Sequence, residues 1–314
     1  VPTSDAPSGR PRPRRRVLRA LGFLLVLAVA GYVAYHFTGK KTPQAGCTVR
    51  SGGRSLDLTQ SQAANAATIA AVAMSRGLPD RAVTIALATA LQESRLDNID
   101  HGDRDSLGLF QQRPSMGWGT EQQILDPVYA TGAFYSALVK IHGYEGLPLT
   151  VAAQKVQKSG YPEAYAKHEA DATLLTTALT GHAAGALSCT TGADRADSAG
   201  GAPGSPAVVA ASLTREFGVQ ARPRTAGAPP VTVSLPAAPA KGGTAAVTAR
   251  RGWQLAQWSV AHAHELKVAE VAFDGMRWQA ARSGAGWQKV PPAGKGKAAG
   301  AAAPGGFVTI TVAQ

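Results

Sequence analysis

Residues 80–94 read DRAVTIALATALQES, and residues 103–115 read DRDSLGLFQQRPS. In the first stretch Val83, Ala86, Ala90 and Glu93 follow three-four-three spacing, so they share one face of a helix. That face is small and apolar until Glu93. A carboxylate is costly to bury without a partner, so Glu93 is expected at the edge of a cleft. Desolvation favours the protonated form of a carboxyl, the form that delivers a proton to a leaving oxygen. The plainer reading is an exposed glutamate at a helix end. The stretch that follows decides between the two: Ser94, then a polar Gly-containing loop over 97–112 with Ser106, Gly108 and Gln111 closely spaced.

Working outward, the neighbouring sequence is helical. Thr59 and Gln62 form a capping-box pair, and Gly77 is a stop signal. Asp126-Pro127 supplies an N-cap and first-turn proline for a helix reaching His142-Gly143. Thr150 is expected to cap a helix to Ser159, and Pro162 to open one ending near Gly181. Beyond a Gly/Ala/Ser-rich stretch the pattern changes. A helix over 208–217, a strand over 231–235, a helix over 252–266, a hairpin around Asp274-Gly275 and a strand over 307–312 suggest a small mixed unit. The fold class is α+β: a mainly α domain followed by a small C-terminal α+β domain, behind one N-terminal transmembrane helix. The expected divisions are a basic cytoplasmic tail (1–16), a signal-anchor (17–37), a tether (38–56), the helical domain (57–189), a linker (190–206) and the C-terminal domain (207–314).

The ordered set Ala90-Leu91-Gln92-Glu93-Ser94, Ser106-Leu107-Gly108-Leu109-Phe110-Gln111-Gln112, Ala152-Ala153-Gln154 and Tyr161-Pro162-Glu163-Ala164-Tyr165 resembles the soluble lytic transglycosylase group of the lysozyme-like superfamily. The variant over 103–120, with Gly117-Trp118-Gly119-Thr120, is similar to the lysozyme-like domain of many actinobacterial surface and phage-tail proteins. The resemblance spans about residues 57–182. It implies that Glu93 protonates the glycosidic oxygen between MurNAc and GlcNAc and then draws the muramoyl C6 hydroxyl onto C1. Ser94, Ser106, Gly108, Gln111, Gln154 and Tyr161 match substrate-lining positions, with glycine at 108 leaving room for the sugar. Two departures stand out. Phe110 replaces a methionine, and Gln154 or Gln157 stands where an asparagine would bind an N-acetyl group. No cofactor or metal is implied.

Two other readings stay open. Among Asp97, Asp100, Asp103 and Asp105, one could serve as the second carboxylate of a lysozyme-type hydrolase; the bland reading is a solvated loop. The domain could also bind wall glycan without cutting it. Trp118 suits sugar stacking or loop packing equally. Trp253, Trp258, Trp278 and Trp287 read as the core of the C-terminal domain, which is expected to fold alone. Its basic residues suit a solvated face or adhesion to anionic wall polymers.

The formal charge is +12. It favours an anionic partner, but the basic residues are not interleaved with aromatics on one element, which argues against nucleic acid. Arg10, Arg12, Arg14, Arg15, Arg16 and Arg19 precede an apolar run over 17–37, long enough to cross a bilayer. The positive-inside tendency places the N-terminus in the cytoplasm and the domains outside, in a single-pass cell-membrane protein. A cleaved signal at Ala28-Val29-Ala30 is the competing reading. Outside the cytoplasm, Cys47 and Cys189 are expected to pair, since they bracket the helical block.

Overall fold

The chain from Gly46 opens with two strands, β1 (Gly46–Ser51) and β2 (Arg54–Leu58), joined across Gly52 and Gly53, both at positive φ. β3 (Leu187–Thr190) returns to the other side of β1, giving the antiparallel order β2-β1-β3. The computed structural model describes residues 45–158, 162–191, 203–226, 232–239, 242–290 and 306–314. The expected cytoplasmic tail and transmembrane segment lie outside the described residues, as do residues 192–202 of the expected linker. Among the described residues no helix is long and apolar enough to cross a membrane. The expected tether over 38–56 is corrected from Gly46 onward, where it is sheet: Cys47, Val49 and Leu58 turn inward in the period of two that a half-buried strand requires.

Cys47 and Cys189 face each other in the β1–β3 register and form a disulfide that closes a span of 142 residues. In the chain-entropy account, a loop of that length contributes roughly 5 kcal/mol by restricting the unfolded chain.

Between β2 and β3 lie the helices. α1 (Gln60–Ser75) starts on the expected capping box, with Thr59 and Gln62 bonding reciprocally. Its buried face is built from Ala63, Ala66, Ala67, Ala70, Ala71 and Ala73, so neighbouring backbones can approach closely. α2 (Asp80–Ser94) packs on α1, and its interior carries Ile85 and Leu87, both fully buried. A short α3 (Glu121–Ile124) leads into α4 (Pro127–Leu138), capped by Asp126. α4 stops four residues short of the expected His142-Gly143. α5 (Leu149–Gln157) begins after Pro148, and Thr150 lies inside it rather than capping it. Pro162 opens a 3-10 segment to His168, and α6 (Glu169–Leu179) continues from there.

The C-terminal part holds α7 (Pro206–Phe217), stopped by Gly218, and α8 (Ala245–Ala261). α8 begins seven residues before the expected Gly252. Its sheet contains β4 (Arg224–Ala226), β5 (Thr232–Pro236), β6 (Val268–Phe273), β7 (Met276–Gln279), β8 (Gln288–Lys289) and β9 (Phe307–Val312). The order is β4-β5-β9-β6-β7-β8, every pair antiparallel. Asp274 and Gly275 both take positive φ and make the β6–β7 hairpin turn. The architecture is mixed α and β throughout.

One hydrophobic core runs through both parts, and the described residues fall in a single compact unit. α8 packs on α1, α6, β3 and β6. The fully buried Gln257 accepts from the Leu187 N–H and donates to the carbonyls of Ala178 and Ala183. Trp278 and Trp287 donate indole N–H groups to the carbonyls of Cys189 and Leu187. The expected C-terminal domain therefore shares its core and its buried hydrogen bonds with the helical part.

Candidate functional site

α2 ends in an uncommon turn. Arg95 and Leu96 both take left-handed φ, 58° and 67°. The Leu96 N–H reaches back to the Ala90 carbonyl and the Arg95 N–H to that of Leu91. Two non-glycine residues in this region cost of order 1 kcal/mol each or more. Burial of the Leu96 side chain and a hydrogen bond from Asn65 Nδ2 to its carbonyl, 2.7 Å, offset that cost. The chain thus turns sharply just after Glu93 and Ser94.

Glu93 is half-buried on the last turn of α2. The hydroxyl of Tyr165, a residue with no exposed surface, donates to Glu93 Oε1 at 2.7 Å. Tyr165 comes from the 3-10 segment that α2 packs against. One carboxylate oxygen is oriented by a buried phenol, which fixes the direction in which Glu93 presents the other. The next residue, Ser94, donates to the carbonyls of Ala90, 3.1 Å, and Leu109, 2.8 Å. The end of α2 is thereby tied to the loop that the sequence singles out.

That loop is held from several sides. Leu107 and Gln112 bridge as an irregular hairpin. The Phe110 ring stacks on Phe134, with centroids 4.6 Å apart, and its carbonyl accepts from Gln157 Nε2 at 2.8 Å. Gly108 has φ +73°, and a side chain there would meet the Ile124 carbonyl at 2.7 Å and the Asn98 side chain at 3.4 Å. The space behind Gly108 is thus occupied by protein, which gives this glycine a packing reason independent of any ligand. Gln111 is itself at φ 47° and donates to the carbonyls of Gly108 and His101, 3.3 and 3.4 Å. Gln112 is buried and donates to the Ala130 carbonyl.

Of the residues nominated from sequence, Glu93 and Ser94 stand next to the 107–112 loop, and Gln111 braces it. Ser106 is buried at its start. Gln154 lies on α5, one turn before Gln157. Tyr161 lies outside the described residues. Two residues carry contacts that the sequence reading did not assign: Tyr165, which bonds Glu93, and Gln157, which holds the Phe110 carbonyl. Tyr165 falls in the quoted Tyr-Pro-Glu-Ala-Tyr run, and its reach to Glu93 depends on packing 72 residues apart in sequence.

The acidic loop separates into different roles. Asp105 accepts from Arg113 Nε at 2.6 Å and from the Ser115 N–H at 2.8 Å. Hydrogen bonding from Ser115, with the Arg113 guanidinium second, holds its carboxyl well below the usual carboxylate range. Asp97 accepts from Gln62 Nε2 at 3.2 Å. Asp100 pairs with His101 on the open surface, which lowers its pKa as well. His168, bonded to Gln92 Oε1 at 3.2 Å, is pushed below the ordinary histidine value by burial, with Lys167 adding to the shift.

Beyond Gln111 a groove of about 360 Å³ opens between the 111–118 segment, the end of α4 and the end of α5. Gln111 and Gln157 belong both to its walls and to the bracing of the 107–112 loop, and Glu93 is not among its lining residues.

A family model described as VldE, C-terminal domain, matches residues 240–299. That span begins ahead of α8 and takes in β6, β7 and β8, and it contains none of the residues named around Glu93. No curated protein matches the chain.

Proposed function

We propose that the protein cleaves peptidoglycan glycan strands between MurNAc and GlcNAc as a lytic transglycosylase of the lysozyme-like superfamily, with Glu93 as its acid and base. The observation that carries this reading is the pairing of Glu93 with the buried Tyr165 hydroxyl, beside the Ser94-braced loop. General acid–base catalysis needs a carboxyl held in one direction, and this pairing holds one oxygen of Glu93. In the proposed reaction Glu93 gives its proton to the departing glycosidic oxygen. It then accepts the proton of the C6 hydroxyl as that oxygen closes onto C1, so the substrate supplies the nucleophile and no second carboxylate is required.

Two of the four loop aspartates are engaged within the fold, which supports this reading over a hydrolase that would use either of them. Asp105 is committed to Arg113 and the Ser115 amide, and Asp97 to Gln62. In the same reading an N-terminal span anchors the protein in the cell membrane, with the described residues outside the cytoplasm. The Cys47–Cys189 disulfide suits an oxidising compartment.

Glu93→Gln tests the assignment. It retains size and hydrogen bonding but cannot deliver a proton. Release of soluble fragments from purified sacculi should fall by about 10²–10⁴, with the melting temperature nearly unchanged. Full cleavage by the variant would remove Glu93 from the mechanism.

A further inference from the structure

Between Glu216 and Glu265 the chain holds no Asp or Glu, yet it carries five Lys or Arg. Glu216 itself is buried and accepts from Trp258 Nε1 at 2.7 Å. Of the basic residues, Arg250 pairs with Asp80. Arg222, Arg224 and Arg251 form no ion pair within the described residues. Two of them meet at a junction of several segments. A 3-10 turn (Val219–Ala221) follows α7, with Gly218 and Arg222 on either side at left-handed φ, 74° and 49°. Arg251, on the second turn of α8, donates Nη2 to the Gln220 carbonyl at 2.6 Å. Arg222 donates Nη2 to the Ala238 carbonyl at 3.0 Å, and Gln220 Nε2 reaches the Ser75 carbonyl at the end of α1. Each guanidinium thus commits one of its five N–H donors to backbone, and Arg251 Nε has no acceptor among the described residues. Burial lowers the Arg251 pKa and the Arg222 charge lowers it further, so the two cations stand close, with no carboxylate paired to either.

Apolar surface adjoins these cations. Val219 is 86% exposed on the turn. Val247, one helical turn before Arg251 on the same face of α8, is 47% exposed. A single exposed valine needs no partner, but two beside unpaired guanidiniums make a surface that is basic and apolar at once. A soluble phosphate polymer would answer the charge and leave the valines in water. An anionic bilayer answers both: its phosphates attract the arginines, and the boundary between headgroups and acyl chains takes up aliphatic side chains. The bonds to Ser75, Ala238 and Arg251 hold the turn in place, so little ordering is required on contact. We propose that this face docks on an anionic phospholipid surface, with Val219 and Val247 at the headgroup boundary and Arg222, Arg224 and Arg251 on lipid phosphates. For the presence of a bilayer it rests on the proposed membrane anchorage.

The test uses the full chain carrying Val219→Cys, labelled with the environment-sensitive dye NBD. Cys47 and Cys189 are bonded to each other, so the new thiol alone takes the label. The labelled chain is reconstituted into vesicles of phosphatidylcholine, or of an equal mixture with phosphatidylglycerol. At low salt the dye in the mixed vesicles should shift to the blue and be quenched by doxyl-labelled lipid. In the neutral vesicles it should behave as in water. High salt should reverse the shift. An arginine at an anionic surface contributes about fivefold to partition, so Arg222→Gln with Arg224→Gln should cut the ratio of docked to free dye roughly 25-fold. Both side chains are exposed, so the melting temperature should hold. Should it fall, Arg224→Gln alone, which has no hydrogen bond to lose, should still give about fivefold. Equal dye behaviour in the two vesicles, or a shift that survives the arginine changes, would overturn the proposal. So would the same shift on adding soluble polyglycerol phosphate to neutral vesicles, which would mark a surface for phosphate polymers. Flotation of the unlabelled chain with neutral vesicles reports the anchor separately. A chain that floats only with the mixed vesicles, and shows the shift there, upholds the docking face and removes the anchor; one that floats with neither removes both.

Discussion

At the scale of single residues, the carboxylates of this protein differ in what surrounds them. Glu93 has a buried phenol on one oxygen, whereas Asp105 has two donors from one short segment. Asp105 is a structural anion for the 113–115 turn, and its depressed pKa has a stability consequence. A folded pKa below the unfolded value means the group stabilises the fold above the unfolded pKa, about 3.9 for aspartate. That contribution disappears as pH falls through the folded pKa. Asp105→Asn should therefore lower the melting temperature at neutral pH, with a gap from wild type that narrows below about pH 4. Thermal unfolding across pH reads this directly, and a gap that is constant down to pH 2 would show that the carboxylate's charge has no part in it. The nomination of Glu93 comes from the motif order that follows it, because helical spacing alone, which puts it on the face of Val83, Ala86 and Ala90, fits an exposed helix-end glutamate as well. Its partner was not legible, because nothing local in Tyr161-Pro162-Glu163-Ala164-Tyr165 says which tyrosine turns inward.

At the scale of elements, several caps and stops were readable, while the Thr150 cap, the His142-Gly143 stop and the two N-terminal strands were not. Thr59 and Asp126 mark α1 and α4 as expected, because each acts on backbone groups within a few residues. β1 and β2 were missed since Gly46–Leu58 is polar on one face and interrupted by two glycines. Its identity as sheet depends on β3, far along the chain. The early start of α8 was missed because Thr244 caps an Ala-Ala-Val turn that carries no apolar periodicity. The 107–112 loop was located from sequence, but its restraints come from α3, α4 and α5. Gly108→Ala should make that dependence measurable. The new methyl would meet the Ile124 carbonyl at 2.7 Å, and φ is +73°. The cost should be roughly 2 kcal/mol or more by chemical denaturation. Gly117→Ala is the control, since its φ is +79° but nothing lies within 4 Å. It should cost only about 1 kcal/mol. Equal costs at the two positions would mean that the contact with Ile124 does not restrain the loop.

At the scale of the whole molecule, the helical part and the C-terminal part are one body. Trp278 and Trp287 were expected to pack a separate core; their indole N–H groups instead satisfy carbonyls of β3, which carries the disulfide. Gly181 shows how close the two parts come: a side chain there would meet the Arg250 carbonyl at 2.0 Å. Composition cannot reveal such docking, because a buried tryptophan reads the same whichever part it packs against. The C-terminal part thus packs on α1, α6 and β3, and Arg250 bonds Asp80 at the start of α2, the helix that ends in Glu93 and Ser94.

The central claim is that Glu93, acting without a second carboxylate, cuts a wall glycan by turning the substrate's own hydroxyl onto C1. Mass spectrometry of the fragments released from purified sacculi tests it most directly. The account predicts muramoyl ends in the 1,6-anhydro form, lighter by one water than reducing ends, and almost none from Glu93→Gln. Reducing ends from the wild-type protein, or sacculi left intact under every condition, would contradict it.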